Sequence, residues 1–202
     1  MVKGDAAFAS RVEQTVAAIE AGTDAEVVVV SAPRSGTYRD VPFAAASALV
    51  FLAMNAALFL PFTVSPWALS LELLLLWAAG AWLFSSAPVM RALTHPERRR
   101  RHVREAAFAE FHREAVHATP RRIGVLVYVS FLEQQVEIVC DVGIDAVLPG
   151  GRWIEVRRLF EVHTLDGFVT GLSAMGALLA EAVPASEHGP GLELSDAPRI
   201  RS

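Results

Sequence analysis

Apolar residues recur at Phe8, Val12, Val16 and Ile19, at i, i+4, i+8 and i+11, and this spacing draws one stripe along a helix that ends near Gly22. The pattern then changes. Ala25 to Ser31 reads AEVVVVS, β-branched and without alternation, as in a strand covered on both faces, and Pro33, Ser35 and Gly36 stop it. Further along, Phe108, Phe111, Ala115 and Ala118 predict a second amphipathic helix running from a basic stretch to Thr119-Pro120. Gly124 to Ser130, GVLVYVS, is a second buried strand. Val136, Ile138 and Cys140 alternate with Glu137, Val139 and Asp141 in a third, which pairs with the second as a hairpin. Trp153 to Val162 and Asp166 to Val183 again have helical spacing, the latter with Phe168, Leu172, Met175 and Leu179 on one side.

Between the first strand and the second amphipathic helix the period disappears. From Val41 to Ala87 the only ionisable side chain is Glu72, whereas the flanks carry a charge every few residues. Phe43 to Val64 gives 22 residues without a charge and Trp67 to Ala87 gives 21 with one. A bilayer core of about 30 Å needs roughly 20 residues at helical rise. Pro61, Ser65 and Pro66 lie where the chain must reverse, so the stretch 41–87 is expected to be a transmembrane hairpin, apolar all round. Trp67, Trp77 and Trp82 supply rings for the boundary or the packing face. Glu72 lies about a turn and a half inside the second span, near the level of Asn55, and is expected to snorkel or bond between helices.

The remaining elements make one α/β domain built from two segments, 1–40 and 88–184, with the hairpin as an insertion and helices over both faces of the sheet. Residues 185–202, rich in Gly, Pro and charge without an apolar period, are expected to be a disordered tail.

Composition changes the picture in two places. Net charge is −4, yet Arg91 to Arg104 holds six arginines and one glutamate, a local +5. Basic residues just past a span mark the cytoplasmic side and favour anionic lipid, each cation contributing about 1 kcal/mol, so the run needs no nucleic acid as partner. A two-span hairpin returns to its starting side, which places both termini and the soluble domain in the cytoplasm. The lone Cys140 permits no intrachain disulfide, and MVKGDAAFASRVEQ has no apolar run of a signal peptide.

Three blocks resemble the TPM domain family: AEVVVVSAPRSGTYRD at Ala25 to Asp40, RIGVLVYVSFLEQQVEIVCDVGI at Arg122 to Ile144, and DGFVTGLSAMGALLA at Asp166 to Ala180. The resemblance implies a small three-layer α/β/α fold, here interrupted by the hairpin. It also implies one of two roles seen in that family: a noncatalytic partner of membrane complexes, or an acid phosphatase.

For the second role the candidate residues are Asp141 at a strand end, Asp145 four residues on and Glu133 in the preceding turn. Carboxylates gathered at one sheet edge could hold Ca²⁺ or Mg²⁺ and polarise a phosphate. The competing reading has Asp141 capping the following turn and Glu133 solvated. Gly171-Leu172-Ser173 lies in a predicted helix without the closing glycine of a nucleophile elbow. The pairs His112/His117 and His95/His102 lack the i, i+4 spacing that puts two imidazoles on one metal. Neither a P-loop nor G-x-G-x-x-G occurs, so no nucleotide is expected. The balance favours an accessory module that assists assembly or turnover of a membrane complex, with lipid and another membrane protein as partners.

Overall fold

A computed structural model of the chain describes residues 6–59, 65–148, 150–186 and 196–201. In chain order the elements are α1 (Ala6–Glu20), β1 (Glu26–Ala32), α2 (Asp40–Phe59), α3 (Pro66–Phe84), α4 (Ala87–Leu93) and α5 (Pro96–Arg113). A 3₁₀ turn (Val116–Ala118) follows, then β2 (Gly124–Ser130), β3 (Gln135–Cys140), α6 (Val142–Val147), α7 (Gly150–Arg158), α8 (Leu165–Ala182) and β4 (Arg199–Ile200). The chain divides into two compact units, one holding the described residues up to Gly36 and from Arg100 onward, the other Thr37–Arg99.

The first unit is a mixed α/β fold on a four-stranded sheet of order β3-β2-β1-β4. β1 runs parallel to β2 in the register Glu26↔Gly124 to Ala32↔Ser130, and β2 runs antiparallel to β3 with Val127 opposite Ile138. Both central strands are buried along all seven residues, which is why they read as unbroken apolar runs. Successive side chains point to opposite faces. Val27, Val29, Val125 and Val127 therefore enter one core with α1, α6, α7 and α8, and Val28, Val30, Leu126 and Tyr128 enter a second with α5 and the 3₁₀ turn. The larger core centres on Phe8, Val12 and Val16 of α1 against Phe168, Leu172, Met175 and Leu179 of α8, the stripes that the spacing predicts. Each such side chain, when fully buried, contributes about 1.5–3 kcal/mol.

Several boundaries differ from the sequence expectation. The second amphipathic helix ends at Arg113, and its inward face is Val103, Ala107, Glu110 and Phe111; Phe108 is exposed. The reversal comes at Ala115, whose φ of 53° is left-handed and breaks the helix before His117. The short α6, capped by Asp141, was hidden because six residues carry less than two full turns of periodicity. The tail expected to be disordered over 185–202 departs from that at both described ends. Ser186 N–H donates to Asp24 Oδ1 at 2.8 Å, and Arg199–Ile200 form β4, parallel to β1 at Val30 and Ser31; residues 187–195 lie outside the described residues.

The second unit contains α2 and α3, which run back along one another. Phe43 stacks on Trp77 with ring centroids 5.5 Å apart, Trp77 Nε1 donates to Ser47 Oγ at 3.2 Å, and Gly80 gives room to Ala46 and Leu49. Pro66 opens α3 after Ser65, where its fixed φ and missing N–H cost nothing. The last five residues of the expected first span, 60–64, lie outside the described residues, and α3 ends at Phe84.

By length and composition three helices are apolar enough to cross a membrane, α2, the Trp67–Phe84 part of α3, and α8, where two were expected. α8 differs from the others in packing, because Phe168, Gly171, Leu172, Met175, Gly176, Leu178 and Leu179 are buried in the α/β core.

Candidate functional site

The two ends of the sheet carry its buried charges. At one end lie the start of β1, the start of β2 and the close of β3. Asp24 is buried and pairs with Arg121, while Arg122 Nε and Nη2 hold the two oxygens of Asp141 at 2.7 and 2.8 Å. Arg122 reaches this position through a left-handed φ of 58°, and Gly143 packs beneath it where a Cβ would meet the Arg122 carbonyl. Asp141 also accepts from its neighbour's amide, Val142 N–H, at 2.8 Å and so caps α6. Burial pushes its carboxyl up, but the Arg122 guanidinium and the Val142 amide outweigh it and hold the group below the usual range. Asp24 is likewise held low, first by the Ser186 backbone N–H and Ser186 side chain, then by Arg121.

At the other end the chain leaves β1 and turns from β2 into β3. Glu133 is only 1% exposed, and its carboxylate accepts from Ser35 N–H at 3.0 Å, from Gly36 N–H at 3.2 Å and from Ser130 Oγ. Ser35 Oγ lies 3.1 Å from the Tyr128 hydroxyl, whose titration is pushed up by burial. The two consecutive amides form an anion-binding concavity of the kind that phosphates use, and here a side chain of the chain itself fills it.

This geometry corrects the expected metal set. Glu133 and Asp141 flank β3 at opposite ends, separated by six residues of strand, about 20 Å of extended chain, and Asp145 is exposed on α6. They do not converge into one site for Ca²⁺ or Mg²⁺. Among the described residues no three His, Cys, Asp or Glu side chains group as a cation would require. Asp141 does cap the following turn, while Glu133 is not solvated: it is a buried acceptor that ties two loops together. Cys140 is a partly buried free cysteine whose thiol burial pushes up.

Two features escaped the sequence. His112 and His117, five apart, meet with ring centroids 5.0 Å apart because the left-handed turn at Ala115 folds the chain back; no periodicity signals such a turn. A shallow groove of about 280 Å³ lies along α1 and α8, lined by Thr15, Ala18, Ser173, Gly176, Ala177, Ala180 and their neighbours, with no titratable group among its walls.

The apolar helices of the second unit carry a different chemistry. Phe51, Leu52, Leu58 and Phe59 on α2, and Trp67, Leu74, Leu75, Trp82 and Leu83 on α3, all face outward, with Phe59 82% and Trp82 81% exposed. Asn55 Nδ2 donates to Phe51 O of its own helix at 2.7 Å, and Glu72 is exposed in the second turn of α3.

No family model matches the chain, and neither does any curated protein. The chain is similar to a solved structure, the NMR structure of BA42 protein from the psychrophilic bacterium Bizionia argentinensis sp. nov., at 15% identity and a TM-score of 0.57, over 98% of this chain and 94% of that one. At that identity the likeness establishes the fold alone: the chain is an α/β protein of the architecture that BA42 also adopts.

Proposed function

We propose that this is an integral membrane protein in which α2 and α3 cross the bilayer as a hairpin and a TPM-like α/β unit serves as a noncatalytic accessory module for a membrane complex. The observation that carries the reading is the outward face of the hairpin. Two helices of 20 and 19 residues pack on each other along one side and leave Phe51, Leu52, Leu58, Phe59, Trp67, Leu74, Leu75, Trp82 and Leu83 facing outward. Exposed apolar area on that scale is untenable in water and ordinary in hydrocarbon.

α8 has the composition of a third span, but its apolar face is spent on the α/β core, where Phe8 and Phe168 pack with ring centroids 5.5 Å apart. Two spans therefore return the chain to its starting side. The arginines at Arg91 and Arg98 to Arg104 mark that side as cytoplasmic and attract anionic lipid.

The accessory role is supported by what the carboxylates do. Asp24, Asp141 and Glu133 are each committed to arginines or backbone amides, so they brace loops and are not offered to a substrate.

Membranes holding the protein are washed with alkaline carbonate; retention of the chain in the pellet until detergent is added is the expected result. Release into the carbonate wash overturns the bilayer reading. Purification in mild detergent should then co-purify a stable membrane-protein partner, and isolation of the chain alone counts against the accessory role.

A further inference from the structure

We propose that the outer edge of β1, beside Glu110 of α5 and Glu114 just past its end, is a docking site for an extended Arg-x-Arg segment of another protein chain, and that the tail segment Arg199–Arg201 is a built-in competitor seated there. The inference goes beyond the membrane reading and stands without it.

The two acids are nearly desolvated, with side chains 9% and 15% exposed. They stand one helical turn apart, where like charges repel, and carboxylates removed from water need cations. Arg113 supplies one, at 2.6 Å from Glu110 Oε1. The rest of the compensation comes from the tail. Arg201 Nε and Nη2 donate to Glu110 Oε2 at 3.1 and 2.8 Å, Arg201 also reaches Glu114, and Arg199 Nε donates to Glu114 Oε2 at 2.9 Å.

Between the arginines Ile200 turns away and is exposed, as alternation along a strand requires. The middle position is therefore unread, and the site selects two guanidiniums two residues apart. A planar fork matches these carboxylates better than an ammonium does.

The main-chain hold is small by comparison. The ladder to β4 covers Val30 and Ser31 of β1, with Arg201 N–H donating to Ser31 O at 2.8 Å. A strand this short is marginal alone, and such elements open at low free energy. Recognition thus resides in the arginines and the sheet edge, the combination used in strand addition. Any chain offering the same segment can take the tail's place.

The test uses the full-length protein in detergent and a labelled peptide with the sequence of residues 196–202, DAPRIRS. The Arg199→Ala, Arg201→Ala protein, its own tail unpinned, should bind the peptide about tenfold tighter than the unaltered chain. Replacing both peptide arginines by alanine, or adding Glu110→Gln and Glu114→Gln to the protein, should weaken binding about tenfold. Equal binding by altered and unaltered protein, indifference to the arginines, or no binding overturns the proposal. Should the substituted protein not fold, amide exchange in the unaltered chain decides. Excess peptide should accelerate exchange at the Arg201 N–H, and an unchanged rate overturns the proposal equally.

Discussion

The guanidinium of Arg98 grips both carboxylate oxygens of Asp40, at 2.6 and 2.9 Å, and so joins the first residue of α2 to the first turn of α5. The same guanidinium lies over the ring of buried Tyr38, 5.5 Å from its centroid, and Nη2 reaches Thr37 O at 3.4 Å. Paired arginine and carboxylate at the two ends of the hairpin segment hold them in register. Because both side chains remain partly in water, the pair is worth about 0.5–1 kcal/mol. Asp40→Asn and Arg98→Lys should each lower the detergent-solubilised unfolding midpoint slightly, and the double variant should cost less than their sum.

Glu133 is the opposite case, a carboxylate out of water. Glu133→Ala leaves the Ser35 and Gly36 amides and the Ser130 hydroxyl without this acceptor, which should cost about 3 kcal/mol, while Glu133→Gln keeps an acceptor and should cost about half as much. Denaturant unfolding reads both values. A calcium or magnesium site at this residue would instead show as a rise in unfolding temperature on adding the cation, and none is expected.

Glu20 sets a pH dependence. Burial pushes its carboxyl up to about 8, opposed by the Val27 N–H it accepts at 2.8 Å and reinforced by Glu26 and by Asp196, to which it hydrogen-bonds. The folded chain therefore holds a proton that the unfolded chain releases near the ordinary value of 4.5. Stability from this group is complete below that value, declines as pH rises, and is lost once pH passes about 8. Unfolding midpoints measured from pH 5 to 9 should fall, and Glu20→Gln should flatten the decline.

Helix packing over the larger core depends on Gly176. A Cβ there would lie 2.4 Å from Ile19 Cγ1, so α1 and α8 would have to separate. Gly176→Ala should destabilise by about 1–3 kcal/mol despite the better helix propensity of alanine, and Ile19→Ala in the same chain should recover part of the loss. Thermal unfolding of the two single variants and the double variant checks this.

Local pattern alone determined much of the fold. The β1 and β2 runs, the stripes of α1 and α8 and the oily stretch around α2 and α3 are legible because burial imposes a short period, or removes it, on adjacent residues. The tertiary structure decided what is not periodic. It turned α5 so that Val103 and Ala107 face the sheet, while Phe108 remains outside. It drew Glu133 to amides 97 and 98 residues away, and it paired a tail of polar composition with the edge of β1. Those partners are chosen by desolvation and charge across long separations, and neither leaves a trace in the spacing of neighbouring residues.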